Sequence, residues 1–202
     1  MNNSEAQERF ELIVKYILPA LPSELSDDPG FLPQLVTSSH LVYVPKHKKI
    51  EVPGNFDDGK VWFAIDAMVH SFYFCPDTLT EKGTRIWKKR EFMFFSDGLF
   101  GHQYRTDYLE TLEEGRLIYI SYINIIELKN NYPALENQLR LLSLQNERYY
   151  HNRSLMLNKK PVERVRQLIK ENPLFITISS KSTQAMHVNL TRNGYSNQLK
   201  KL

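Results

Sequence analysis

At 202 residues, with 42% hydrophobic and 12% aromatic content, the chain can bury a real core as one large domain or two small ones, which excludes a disordered or fibrous protein. Its single cysteine, Cys75, excludes a disulfide framework or multi-cysteine cluster and fits a reducing compartment. The net charge of +3 hides a split: residues 1–133 carry 14 Lys+Arg against 19 Asp+Glu, a balance of −5, whereas residues 134–202 carry 12 against 4, a balance of +8, which suggests a polyanion as partner of the second half.

The N-terminal stretch MNNSEAQERFELIVKYIL has acids where a signal peptide needs bases, and no apolar run approaches the ~20 residues of a membrane span. A cytoplasmic, soluble protein with no membrane partner is expected, and the Asn-x-Ser/Thr triplets at Asn2, Asn152 and Asn189 read as chance. Residues 4–18 show a helical pattern with Phe10, Ile13, Val14 and Ile17 on one face, ended by Pro19 and Pro22. After the turn-rich SDDPG, short β-like runs separated by turn residues extend from about Leu41 to Ile120: LVYV, KIEV, VWFAI, VHSFYF, RIW, EFMFF, YLETL and RLIYI. Strands so short and so closely spaced, with no helices between them, predict an antiparallel sandwich or barrel.

Ser121 can cap a short helix, INIIELKNN, and Pro133 opens a 25-residue rod to Leu157, roughly 37 Å at about 1.5 Å per residue. Along it Leu135, Leu142, Tyr149 and Met156 recur every seventh residue, with Leu139, Asn146 and Arg153 four places behind. That alternation of four and three predicts a parallel homodimer seam, with Asn146 as the buried polar residue that fixes register; a helix packed in its own subunit is the alternative. Pro161 opens a further helix with Val162, Val165, Leu168 and Ile169 on one side, closed by Pro173. In the last segment Ser179 or Ser180 can cap a short helix ending near His187, Asn189 suits a left-handed turn, and Thr191 can cap a final helix from Arg192 to Leu202. Two short helices joined by a tight turn at the basic end of a dimer make a helix-turn-helix candidate.

This order of parts resembles the Crp/Fnr family of bacterial transcription regulators. The local matches are RTDYLETLEE, where Arg105 and Thr106 fall on the end of a phosphate-binding cassette; VERVRQLIKENP, like the helix entering the DNA-binding domain of Bacteroidetes-type variants; and AMHVNLTRNGYSNQLKKL, where Ala185, Leu190, Thr191, Ser196 and Leu202 fit directly. The resemblance implies an α+β chain: an N-terminal antiparallel β jelly roll of the cyclic nucleotide-binding type over 1–132, a dimerisation helix over 133–157, and a helix-turn-helix domain over 158–202. It also implies double-stranded DNA as partner, a small-molecule effector, and Ser96, Arg105 and Thr106 as the effector site. Thr191, Arg192, Asn193, Ser196, Asn197 and Lys200 would face the major groove, with Asn suited to adenine and Lys200 to phosphate.

The departures bear on function. The Gly and Glu that open a cyclic-nucleotide cassette are missing nine places before Arg105, where Phe95 and Ser96 stand, so the effector is unknown and cAMP or another cyclic nucleotide is disfavoured. Arg105 could bind another anion or pair with a carboxylate such as Asp97. The alternative function is a dimeric ligand- or partner-binding module of the same fold that does not bind DNA. The six histidines form no His-x-His pair of the cupin type, and no nucleophile elbow or Walker loop appears, so no catalytic or metal-binding residues are assigned and no enzyme is expected.

Overall fold

In the computed structural model, which describes residues 3–202, one strand shows why the β-like runs do not alternate cleanly between apolar and polar residues. β3 (Lys60–Ala64) is buried on both faces. Val61, Phe63 and Ile65 join a cluster with the N-terminal helices, whereas Trp62 and Ala64 point into the roll with Trp87, Met93, Leu109 and Leu117. A strand covered on both sides reads as a continuous apolar run, not as inside-outside alternation.

Among the described residues eight strands form two antiparallel four-stranded sheets. One has the order β1 (Ser39–Val44), β8 (Gly115–Ser121), β3, β6 (Phe92–Met93); the other runs β2 (Lys49–Glu51), β7 (Tyr108–Thr111), β4 (Val69–Cys75), β5 (Thr80–Trp87). Every strand overlaps one of the expected runs, but β5 starts at Thr80, five residues before the expected RIW, and takes in Lys82 and Gly83, which read as a turn in sequence. The chain is α+β with an antiparallel roll, as expected.

The helices depart more. α1 (Asn3–Leu12) continues into a π segment, Ile13–Ile17, and a 3₁₀ turn, Leu18–Ala20. The wider turns shift the buried face to Leu12, Ile13 and Ile17, leaving Phe10 and Val14 exposed, so only half of the expected face is right. Asn2 of the first Asn-x-Ser triplet lies outside the described residues. Two short helices precede β1: α2 (Ser23–Ser26) and α3 (Phe31–Ser38), the latter burying Phe31 and Leu35 after an Asp28–Gly30 turn. α4 (Ser96–Gly101) carries two glycines and gives no helical signal in sequence.

α5 (Tyr122–Asn131) is capped by Ser121, whose hydroxyl accepts from the Asn124 amide, and α6 spans Pro133–Leu157 as expected. α7 (Pro161–Glu171) follows; Pro173 does not simply close it but opens α8 (Pro173–Ile178), because a proline at the first helical position loses no hydrogen bond. α9 (Lys181–His187) and α10 (Arg192–Leu199) complete the chain, α10 ending three residues short of the expected Leu202. Among the described residues no helix is long and apolar enough to cross a membrane.

Candidate effector cleft and nucleic-acid interface

Arg105 begins from its neighbours on the roll. Its backbone pairs with Gly54 on both sides, which turns the side chain inward, where it is 3% exposed. There the guanidinium meets Glu51, a carboxylate 4% exposed on β2, while Nη2 also donates to the Asn55 carbonyl at 3.2 Å. Glu51 accepts a second bond from Trp62 Nε1 at 2.8 Å. Burial raises the Glu51 carboxyl above its ordinary range, and the Trp62 and Arg105 contacts oppose that rise. Arg105 therefore pairs with Glu51 and not with Asp97, and a side chain of the protein occupies the interior position that an anionic ligand would need.

Sequence reasoning missed Glu51. It stands between Ile50 and Val52, where alternation in the run KIEV would turn it outward, so the residues carry no signal of its buried position. The other two expected effector residues lie nearby but face elsewhere. Ser96 accepts from the Ser143 hydroxyl of α6 at 2.8 Å, and Thr106 donates to Asp107 at 3.0 Å. All three border a cleft of about 300 Å³ between α4, the start of β7 and α6, shared with Asp97, Asp107, Glu147 and Tyr150. Burial raises the Asp107 carboxyl, opposed by hydrogen bonds from Thr84 and Thr106.

The expected dimer seam on α6 faces its own chain. Leu135 and Leu139 are buried with the N-terminal helices, joined by half-buried Leu142, and Met156 is buried among the C-terminal helices. Asn146, buried, accepts from Arg85 of β5, whose guanidinium lies 3.7 Å from the Trp87 ring centroid. Tyr149 accepts from the Ile86 amide at 3.2 Å, and Arg153 is half-buried beside it. Asn146 thus serves attachment of the helix to β5, and none of the seven seam residues forms an outward stripe. The outward stripe is a second one with the same four–three spacing: Asn137, Leu141, Leu144, Arg148, His151 and Leu155. Leu141, Leu144 and Leu155 are 56%, 51% and 52% exposed.

At the basic end, Ser180 caps α9 by accepting from the Thr183 amide at 3.1 Å, Asn189 takes the left-handed conformation at φ 53°, and Thr191 caps α10 by accepting from Gly194 N–H at 3.0 Å. Tyr195 is the buried anchor of α10. Arg192, Asn193, Asn197 and Lys200 are exposed and Ser196 is half-buried, so the structure brings the expected donors together on one helix; Thr191 is exposed, its hydroxyl engaged as a cap. Gln184, a polar residue at a packing position, is buried and donates to the carbonyls of Ile176 and Ser179 at 2.9 and 3.0 Å.

No protein-family model matches the sequence, and no curated protein matches it. Solved structures do match the fold. A Crp/Fnr-family transcriptional regulator from Eubacterium rectale superposes with a TM-score of 0.76 at 10% identity, covering 91% of this chain and 87% of its own. The c-di-GMP-responsive global regulator CLP of Xanthomonas campestris gives 0.70 at 18% identity, covering 86% and 91%. FixK2 of Bradyrhizobium japonicum gives 0.67 at 13% identity, covering 81% and 84%. This chain has the Crp/Fnr fold. The likeness runs from the roll through the long helix into the C-terminal helices, so the order of parts expected from the sequence holds across most of its length.

One close approach at the junction of roll and C-terminal helices is testable directly. A Cβ on Gly83 of β5 would come within 2.6 Å of the His187 ring. Gly83→Ala is expected to destabilise the protein by about 1–3 kcal/mol, read as a lower midpoint of urea unfolding at unchanged slope.

Proposed function

We propose that this chain is a DNA-binding transcription regulator of the Crp/Fnr type that acts as a homodimer through the exposed stripe of α6. The observation that carries the reading is α10: a capped helix, anchored by Tyr195, that presents Arg192, Asn193, Asn197 and Lys200 to solvent at the end of a positively charged segment. Asn193 and Asn197 offer bidentate amides to adenine edges, and Lys200 and Arg192 suit phosphate and guanine. Leu141, Leu144 and Leu155 supply the apolar contacts of the dimer, and pairing along α6 sets the separation of the two α10 helices, which must match one turn of DNA, about 34 Å. Any effector would act by binding two arrangements of that pair with different affinity.

A cyclic nucleotide is a poor effector for this site. Glu51 already holds the Arg105 guanidinium, and Asp97, Asp107 and Glu147 border the adjoining cleft, where their charge repels a phosphodiester. The cleft instead suits a neutral or cationic small molecule, or none.

Duplex binding as a function of salt tests the reading. A dimer neutralising several phosphates should lose orders of magnitude in affinity between about 50 and 200 mM salt, and Lys200→Ala should reduce the slope of log K against log salt by about one per contact removed. Absence of binding to any duplex at low salt would leave the same fold as a partner-binding module.

A further inference from the structure

Two buried histidines meet across the junction between the roll and the C-terminal helices, and DNA binding uses neither. His70 on β4 is 1% exposed and His187, the last residue of α9, is 2% exposed. His187 Nε2 lies 3.3 Å from His70 Nδ1. His187 rests on bare Gly83 and meets the Phe175 ring edge-on at 5.1 Å between centroids, while His70 stacks on Phe72 at 5.3 Å.

An imidazole–imidazole hydrogen bond needs one donor and one acceptor. Among the described residues His70 Nε2 has no hydrogen-bond partner, and the nearest carboxylate oxygen is Glu110 Oε1 at 3.7 Å, which also faces His47 Nδ1 at 3.3 Å. A proton on His70 Nε2, directed at that carboxylate, leaves Nδ1 as acceptor and makes His187 Nε2–H the donor. The surroundings of His187 contain little to receive a positive charge. α6 contributes Arg153 and the neutral Tyr149, β5 contributes Gly83, and α8 contributes Phe175; Lys159 and Glu171 line the same cavity of about 450 Å³, with Lys159 donating to Gln167. The remaining polar ties at this junction, Lys82 to Asn189 and Lys46 to the Ile178 carbonyl, are exposed.

We propose that the His70–His187 contact is a proton-sensitive latch that holds α9 against the β4–β5 hairpin, so that acidification releases the C-terminal helices from the roll. With both rings charged, each presents an N–H to the other at hydrogen-bond distance, and the bond becomes a repulsion. Burial first, then the adjoining His70 and Arg153, holds His187 well below the usual imidazole range while docked. The docked state therefore binds fewer protons than the released one. Docking is at full strength above about pH 6.5 and weakens as pH falls below it, by up to tenfold per pH unit for one proton taken up on release. The latch stands on the contact itself; its meaning as control of DNA binding rests on the function proposed above.

Hydrogen–deuterium exchange on the full chain between about pH 7.5 and about pH 5, corrected for intrinsic exchange, tests it. The expected result is loss of protection in α9 approaching tenfold per pH unit below about pH 6.5, with β3 and β8 unchanged. His187→Gln, which keeps a side-chain amide donor but cannot titrate, should flatten that dependence, as should His70→Gln. Protection in α9 that ignores pH, or acid loosening that persists in the variants, would overturn the latch. If both variants misfold, imidazole ¹⁵N titration of the unaltered protein decides: a His187 ring that protonates at its ordinary value without any change in α9 exchange also overturns it. Exchange reads the latch without DNA, so a chain that binds no duplex removes the regulator reading alone.

Discussion

Glu51→Ala should destabilise the protein by about 3–5 kcal/mol, on the order of 10 °C in Tm, because it leaves the Arg105 guanidinium and the Trp62 N–H buried without their carboxylate. Arg105→Met alone should do similar damage by stranding the Glu51 charge. Glu51→Met combined with Arg105→Met should recover much of the loss, since an apolar pair of similar volume needs no compensation in a roll already filled by Trp62, Trp87 and Met93. Thermal unfolding of the four proteins forms a double-mutant cycle with a large coupling term. An Arg105 that is free to bind phosphate would give the opposite pattern: near-neutral single variants, and stabilisation of the unaltered protein by added phosphate.

The second large effect concerns the two faces of α6. Leu141→Glu with Leu144→Glu should convert the proposed dimer to a monomer in sedimentation experiments while leaving thermal unfolding of the subunit nearly unchanged, because both side chains are more than half exposed. Affinity for duplex DNA should fall by about two orders of magnitude or more, as the second half-site contact ceases to be intramolecular. Leu139→Ala, on the opposite face, should destabilise the subunit by about 2–5 kcal/mol through the cavity it leaves among Ile17, Leu35 and Ile120. A double glutamate variant that remains dimeric would place the interface elsewhere.

The contrast between those faces shows what the sequence makes legible. The length of α6, its opening proline and its four–three spacing are all readable from residues. Which of two stripes turns outward is not, because Leu141, Leu144 and Leu155 lie on a stripe with the same four–three alternation as the one that holds Leu135, Leu139 and Leu142. The roll settles it by burying the stripe that carries Asn146 and Tyr149, whose partners Arg85 and Ile86 lie some sixty residues away in sequence. The helix-turn-helix is local and therefore readable: Ser180, Asn189 and Thr191 each do what their side chains favour within a few residues. Arg105 is recognisable from its neighbours, but its partner Glu51 is fifty-four residues upstream and belongs to no motif. The π segment after α1 and the glycine-bearing α4 carry no local signal, since tertiary packing sustains both against propensity.

The C-terminal helices do not bury a core by themselves. Val165, Phe175 and Tyr195 close over Met68, Ile86 and Leu112 of the roll in one continuous cluster. Displacing β5, which carries Ile86, or the ends of β4 and β7 next to Met68 and Leu112 must therefore tilt the helices above them, so news from the roll would arrive by direct mechanical contact, with no tether to slacken on the way.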